Sequence, residues 1–252
     1  MQIIELLWPA FVLLALLVFI HVIFGFEIIK RGVIFTDLAI GQAAAVGMAI
    51  SIGFMEGEYQ SLMTFGFALL GAFLIIHASK RVEHIEAFIG MLYAFGASSI
   101  MILLSSSPGG AELFQKLSAT DILFTSQSEV YTSFILYVCI ALGMFLLYPK
   151  TTGQLREYTF FTLLALTVTS SVQLAGVLVV FVLLVAPAFI SLSQKRFKTL
   201  YFAWFVGMFV SVLALIVSYY YDYPTGYSIV FFHGLAVVLF SIFKTKSLLE
   251  IH

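Results

Sequence analysis

Residues 175–221 read AGVLVVFVLLVAPAFISLSQKRFKTLYFAWFVGMFVSVLALIVSYYY, two long apolar runs parted by Lys195, Arg196 and Lys198. Each run is near the roughly 20 residues that an α-helix needs to cross the hydrocarbon of a bilayer. The basic cluster between them marks a connection retained on the cytoplasmic side. The same pattern extends in both directions. Eleven of the twelve lysines and arginines fall at every second gap between apolar stretches: Lys30/Arg31, Lys80/Arg81, Lys150 and Arg156, the 195–198 cluster, and Lys244/Lys246. The alternate gaps, around 55–59, 107–127, 173–175 and 222–226, contain only Lys116. A chain folded in water has no reason to alternate its charge in this way.

Composition agrees. Of the 252 residues, 62% are hydrophobic and 10% charged, and the mean hydropathy is +1.10. A soluble domain carries about 25% charged residues, so the apolar excess here must face lipid. A net charge of −1 argues against nucleic acid as a partner. Cys139 is the single cysteine and permits no disulfide within the chain. The first apolar run is too long for a cleavable signal peptide, and Glu5 stands where a basic n-region would. No connection is long enough for a soluble catalytic domain.

The expected fold is therefore all-α: a polytopic membrane bundle forming a single transmembrane domain over residues 1–252. Nine spans are expected, near 4–28, 33–54, 60–79, 86–106, 128–148, 157–173, 175–194, 199–221 and 226–243, with the N-terminus outside and the C-terminus inside. Only Leu174-Ala175-Gly176 parts spans six and seven, so eight is the alternative, but it would put the 195–198 cluster outside. Within the outer segment 107–124, Leu113, Phe114 and Leu117 recur at helical spacing opposite Glu112, Gln115 and Lys116. That predicts a short helix in the interface. The pairs Gly41/Ala45 and Ala43/Gly47 in span two, and Gly90/Ala94 in span four, would let other helices approach closely. They mark both spans as interior.

Three polar residues stand out against this background. Asp37, six residues past Arg31, lies about 9 Å beyond the basic cluster if the rise is helical. Placing an Asp inside a span costs about 2.5–3.5 kcal/mol, and such a residue usually faces a cavity or a partner. Gln42 lies deeper, rotated about 140° from Asp37. Glu86, five residues past Arg81, has a depth similar to that of Asp37. Together they could line a hydrophilic path for a cation, and their oxygen donors suit Mg, Ca or Mn better than Zn. The competing reading is that both carboxylates snorkel or pair with Arg31 and Arg81. His21, Glu27 and His77 read as interfacial, and His233 as a satisfied packing residue. Hydroxyls of Thr167, Thr169, Ser170 and Ser171 can bond their own helix, and Pro187 interrupts span seven's hydrogen bonding. No glycine-rich phosphate loop is present, so any use of ATP must come from another subunit.

Several stretches, in order, resemble the membrane permeases of ABC transporters for zinc, manganese or chelated iron. Arg31-Gly-Val-Ile-Phe-Thr-Asp37-Leu-Ala-Ile-Gly-Gln42 is similar to the family's second-span signature. Glu86-Ala-Phe-Ile-Gly-Met-Leu-Tyr-Ala94 resembles its EAAIG…YA stretch, and Gly109-Gly-Ala-Glu112 followed by Asp121-Ile-Leu resembles its GAE…DIL segment. Ala175-Gly-Val-Leu-Val-Val, Ala186-Pro187-Ala188 and Ser218-Tyr-Tyr-Tyr-Asp222-Tyr-Pro-Thr-Gly226 complete the set. The resemblance implies a permease subunit in a bacterial inner membrane that moves a divalent metal ion, as cargo rather than cofactor, in the import direction.

It also implies a homodimer surrounded by membrane lipid, two cytoplasmic ATPase subunits and an extracytoplasmic metal-binding protein. On that reading Asp37, Gln42 and Glu86 line the metal path, and Glu112 and Asp121 lie near the outer docking face. Lys150, Gly153 and Arg156 belong to the cytoplasmic coupling loop. The chain itself is then no enzyme. Two departures qualify this. Typical members carry a histidine where Gln42 stands, with the aspartate shifted by one, and loss of the imidazole weighs against tight zinc coordination. The coupling loop is also short, about Tyr148–Arg156, leaving Gly153–Tyr158 as a reduced coupling element or the coupling itself changed. An ion- or proton-coupled secondary carrier and a non-transporting membrane scaffold are the alternatives.

Overall fold

In a computed structural model of the protein, which describes residues 2–105, 110–194 and 199–243, the chain is helical throughout. Ten α-helices follow one another: α1 Gln2–Arg31, α2 Thr36–Phe54, α3 Gln60–Ala78, α4 Ile85–Leu104, α5 Gly110–Ser118, α6 Gln127–Leu142, α7 Gly153–Ala175, α8 Val177–Leu192, α9 Leu200–Tyr221 and α10 Thr225–Phe243. A 3-10 turn at Ile122–Phe124 precedes α6, and a π turn (Gly143–Leu147) and a second 3-10 turn (Tyr148–Lys150) extend it. Among the described residues, eight helical segments are at least 18 residues long and apolar enough to cross a membrane.

Expected span seven is α8, at 16 residues. A rise of about 1.5 Å per residue gives it about 24 Å, short of the roughly 30 Å hydrocarbon thickness. It needs no more, because α1, α9 and α10 enclose it. Its boundary with α7 is the single residue Gly176, with φ +84°. A Cβ there would stand 2.7 Å from the backbone of Ala119, so only glycine permits both the left-handed turn and this approach. Pro187 lies inside α8, with Gly207 of α9 packed against its ring.

Which connections share an end can be read from their contacts. Thr120 N donates to Ala175 O at 2.9 Å, and Gly226 lies against Ala119 and Thr120, so the gaps near 120, 175 and 225 meet. At the other end Arg31 reaches Tyr148 and Glu157, Ile34 meets Glu86, and Lys80 lies over the Tyr158 ring. The basic gaps thus gather at one end and the others at the opposite end, as the charge pattern requires. The clusters 195–198 and 244–246, and the Pro108-Gly109 breaker, lie outside the described residues.

α2 is the most enclosed of these helices. Of its 19 residues, 13 are buried, and it packs against α3, α4, α7 and α8. Its small residues explain how. A Cβ on Gly47 would come within 2.3 Å of the Met63 carbonyl oxygen of α3, Gly71 of α3 abuts Ala43, and Gly96 of α4 abuts Gln42. Span two is interior, as expected. Span four is not: Gly90 has nothing within 4 Å, Ala94 is exposed, and only Ile89, Gly96, Ile100 and Leu104 of α4 are buried. Its small pair sits on the outward face, whereas Gly96, two residues on, makes the helix contact. α5 forms where its apolar spacing predicted, but Leu117 is buried and the helix packs against α4 and α8.

Candidate functional site

Asp37 owes its position to a break in the chain. Gly32, with φ +70°, ends α1, and residues 32–35 turn before α2 starts at Thr36. Asp37 therefore lies in the first turn of α2, and the helical rise of about 9 Å beyond Arg31 does not apply. The helix dipole favours a negative group at this end. Even so, Asp37 is only 1% exposed, and neither carboxylate oxygen has a hydrogen-bond partner. Its neighbour Thr36 is fully buried with its hydroxyl also unpartnered.

Gln42, 5% exposed, lies one and a half turns on, with Oε1 unpartnered. Glu86 stands in the first turn of α4. Its Oε1 accepts a 2.7 Å hydrogen bond from the backbone N–H of Ile34, which clips α4 to the turn just before Asp37, and its Oε2 is buried without a partner. Neither carboxylate pairs with Arg31 or Arg81, because Arg31 is committed to Glu157. Neither faces lipid. Among the described residues no three of His, Cys, Asp and Glu come together as a ready-made metal cluster. What α2 and α4 offer is a set of unpartnered oxygens: two on Asp37 and one each on Thr36, Gln42 and Glu86. Buried polar atoms are nearly always satisfied, so these oxygens, in the first turns of α2 and α4 and at Gln42 further along α2, are among the exceptions in the bundle.

The remaining sequence-predicted residues lie toward the two ends. Asp121 caps the 3-10 turn by accepting from Leu123 N at 3.1 Å and, with Asp222 and Tyr223, lines a cavity of about 360 Å³. Glu112 is exposed on α5. At the opposite end Lys150, Gly153 and Arg156 are exposed, with the Arg156 guanidinium 4.6 Å above the Tyr148 ring. The expected loop 148–156 is largely helical: only Thr151 and Thr152 separate the last 3-10 turn from α7. Gly153–Tyr158 is not a separate coupling element but the first turns of α7.

His21, expected near an interface, is fully buried in α1 and bonds Leu17 O at 2.7 Å. α1 extends further than the predicted span and so moves residue 21 inward. His233 is the satisfied packing residue expected, with ring nitrogens on Ile229 O and Ser211. Thr167, Ser170 and Ser171 bond carbonyls of their own helix. Ser170 nevertheless joins Gln60, Glu129, Ser133 and Gln173 around a polar cleft of about 420 Å³. Sequence reasoning also missed a polar group at the inner ends of α1, α6 and α7. Tyr148 O–H donates to Glu27 and accepts from Arg31, which pairs with Glu157. Glu27 four residues before Arg31 was its only sequence signal.

Comparison with known proteins fits this architecture. The model of the ABC 3 transport family matches residues 152–244. The manganese transport system membrane protein MntB of Synechocystis is 27% identical over 209 residues, 76% of this chain and 66% of that protein. MntC of Listeria monocytogenes, also a manganese transport system membrane protein, is 23% identical over 225 residues, 82% of this chain and 80% of that one. Among solved structures, PsaBC from Streptococcus pneumoniae in complex with Fab superposes with a TM-score of 0.77, covering 96% of this chain and 92% of that one at 21% identity. At that identity the superposition speaks for the fold.

In these stretches the chain is similar to the ABC 3 transport permeases. The resemblance read from its motifs holds, and the family match supplies what the motifs could not: the whole stretch from α7 through α10. With eight long apolar helices among its described residues, the permease is a multi-pass membrane protein. Its two ends carry the contacts described above, and Asp37 and Gln42 lie on α2 between the turn at Gly32 and the Gly96 contact of α4.

Proposed function

We propose that the permease carries a divalent metal ion across the bacterial inner membrane, and that the ion passes Asp37, Gln42 and Glu86. One observation carries the reading: Asp37, on the most enclosed helix, is buried with both carboxylate oxygens unpartnered. In a membrane bundle an ionisable group in this position marks a conducted path. The oxygen donors, and Gln42 where an imidazole would favour zinc, point to manganese or iron chemistry. The manganese transport relatives support the same class. Two copies of the chain, two cytoplasmic ATPase subunits and an extracytoplasmic metal-binding protein complete the proposed importer. The basic end, with Lys150, Gly153 and Arg156, faces the ATPases; Glu112 and Asp121 face the binding protein. This orientation puts the N-terminus outside.

The test is manganese uptake by liposomes containing the permease assembled with its ATPase, with and without ATP. ATP-dependent uptake that Asp37→Asn abolishes is the expected result. Uptake driven by a proton gradient without an ATPase would instead establish a secondary carrier.

A further inference from the structure

Resting on that reading, one cluster remains without a role in ion passage: Arg31 and the side chains around it. Arg31 ends α1, and its guanidinium contacts three side chains, two on α7 and one in the 3-10 turn before it. One terminal nitrogen donates to Glu157 of α7. The other donates to the Tyr148 hydroxyl at 2.9 Å, which itself donates to Glu27 of α1 at 2.9 Å. The guanidinium also lies 4.2 Å above the ring of Phe160, which is fully buried. Only 19% of the Arg31 side chain is exposed, against 39% for Glu157. A planar fork stacked on a ring and bonded at both prongs holds its partners in one geometry, which a lysine cannot reproduce.

The elements that bring Tyr148 here are unusual. The five-residue π turn Gly143–Leu147 precedes it. Such a turn inserts one extra residue into an α-helix and tends to occur at functional positions. The insertion turns Tyr148 inward, to 6% exposure, while the next residues, Pro149 and Lys150, stay exposed. From Tyr148 to Glu157 the chain passes the two-residue link and Gly153, φ +56°. Both ends of the exposed segment that would meet an ATPase are therefore bonded to one guanidinium.

On its other side Arg31 leads through Gly32 into the turn that Glu86 holds at Ile34 N, three residues before Asp37. We propose that Arg31 is a positioning residue for transport: it couples displacement of the 148–157 segment to the N-terminus of α2, and so to Asp37. In the structure, a segment with no separate coupling helix is tied to the end of α1 by the Arg31 guanidinium and by the hydrogen bond from Tyr148 to Glu27. A push on Tyr148 or Glu157 moves the end of α1, and the short turn passes the movement to α2.

The experiment uses the permease assembled with its ATPase in liposomes, with ATP hydrolysis and manganese uptake measured in the same vesicles. For Arg31→Gln and Glu157→Gln, hydrolysis is expected to stay within about twofold of wild type while uptake per ATP falls tenfold or more. The exchange Arg31→Glu with Glu157→Arg should recover part of that ratio, which a merely structural loss would not allow. An unchanged ratio in Arg31→Gln overturns the proposal, as does a parallel fall of hydrolysis and uptake that the exchange does not repair. A second measurement is independent of transport. Spin labels at Phe35 and Thr152, both exposed, in a Cys139→Ser background should give one narrow distance distribution that Arg31→Gln broadens. Failure to broaden refutes the link even if uptake is seen. Broadening without any ATP-driven uptake in wild type would refute the importer reading and leave the link standing.

Discussion

Replacing Asp37 with asparagine should make the permease more stable and inactive. Placing an aspartate inside a span costs about 2.5–3.5 kcal/mol, and Asp37 has no hydrogen-bond partner to offset it. The N-terminal dipole of α2 returns about 0.3–1 kcal/mol. Asparagine keeps the shape and loses the charge, but an unpaired amide still costs on the order of 1 kcal/mol. The difference leaves Asp37→Asn more stable by about 1–2 kcal/mol. At about 2–4 °C per kcal/mol for a chain of this size, the melting temperature in detergent should rise by about 2–8 °C. Manganese provides the control. A ligand at about 100 times its dissociation constant stabilises the bound form by about 2.7 kcal/mol. Wild type should therefore melt higher with manganese present, and Asp37→Asn should not respond. The reasoning fails if Asp37→Asn melts lower than wild type, since the carboxylate would then be a structural cap for α2. It fails equally if the variant still transports.

Three further changes test the packing around this site. Gly47→Ala places a Cβ 2.3 Å from the Met63 carbonyl oxygen, against an ordinary contact of 3.4 Å or more. α2 and α3 must then part by about 1 Å, costing about 1–3 kcal/mol, read as a lower melting temperature and reduced uptake. Gly90→Ala meets nothing within 4 Å and should be neutral or stabilising by up to about 1 kcal/mol in the isolated chain; clear destabilisation there would refute the outward placement of that face. Ser126 caps α6 in a reciprocal box with Glu129, so Ser126→Ala should lower stability by about 0.5–2 kcal/mol without altering manganese uptake per ATP.

Charge and hydropathy made the bundle legible because they reflect the solvent, which acts on every residue. The alternation of basic gaps required two sets of connections at opposite ends, and contacts such as Thr120 N to Ala175 O and Arg31 to Glu157 follow that division. Eight of the nine expected spans appear as helices long enough to cross a membrane, and the remaining one, α8, is a shorter apolar helix packed among α1, α9 and α10. Helix ends were harder to place. Hydropathy does not register that Gly32 takes a positive φ, so Asp37 was expected about 9 Å beyond Arg31 when it lies just past a turn, in the first turn of α2. Nor does it separate two glycines on the same helix. Gly90 and Gly96 of α4 differ only in the direction each faces, and only Gly96 meets α2.

The candidate site was legible as residue types but not as an arrangement. Asp37, Gln42 and Glu86 were conspicuous because lipid tolerates such groups poorly, a cost that sequence reveals directly. How each is held depends on partners far along the chain: Glu86 on the backbone of Ile34, Gln42 against Gly96. Arg31 shows the limit most clearly. In the sequence it is one of eleven topology-setting charges, set apart from Lys80 and Arg81 only by Glu27 four residues before it and by its place at the head of the second-span stretch. The fold does, because the π turn brings Tyr148 beneath α1 and the helical start of α7 brings Glu157 beside it. A charge that first bears on which way the chain crosses the membrane can then serve, once the helices pack, to join the 148–157 segment to the turn before Asp37. The two roles make different demands: lysine would satisfy the first and fail the second, so Arg31→Lys should insert normally and lose uptake per ATP.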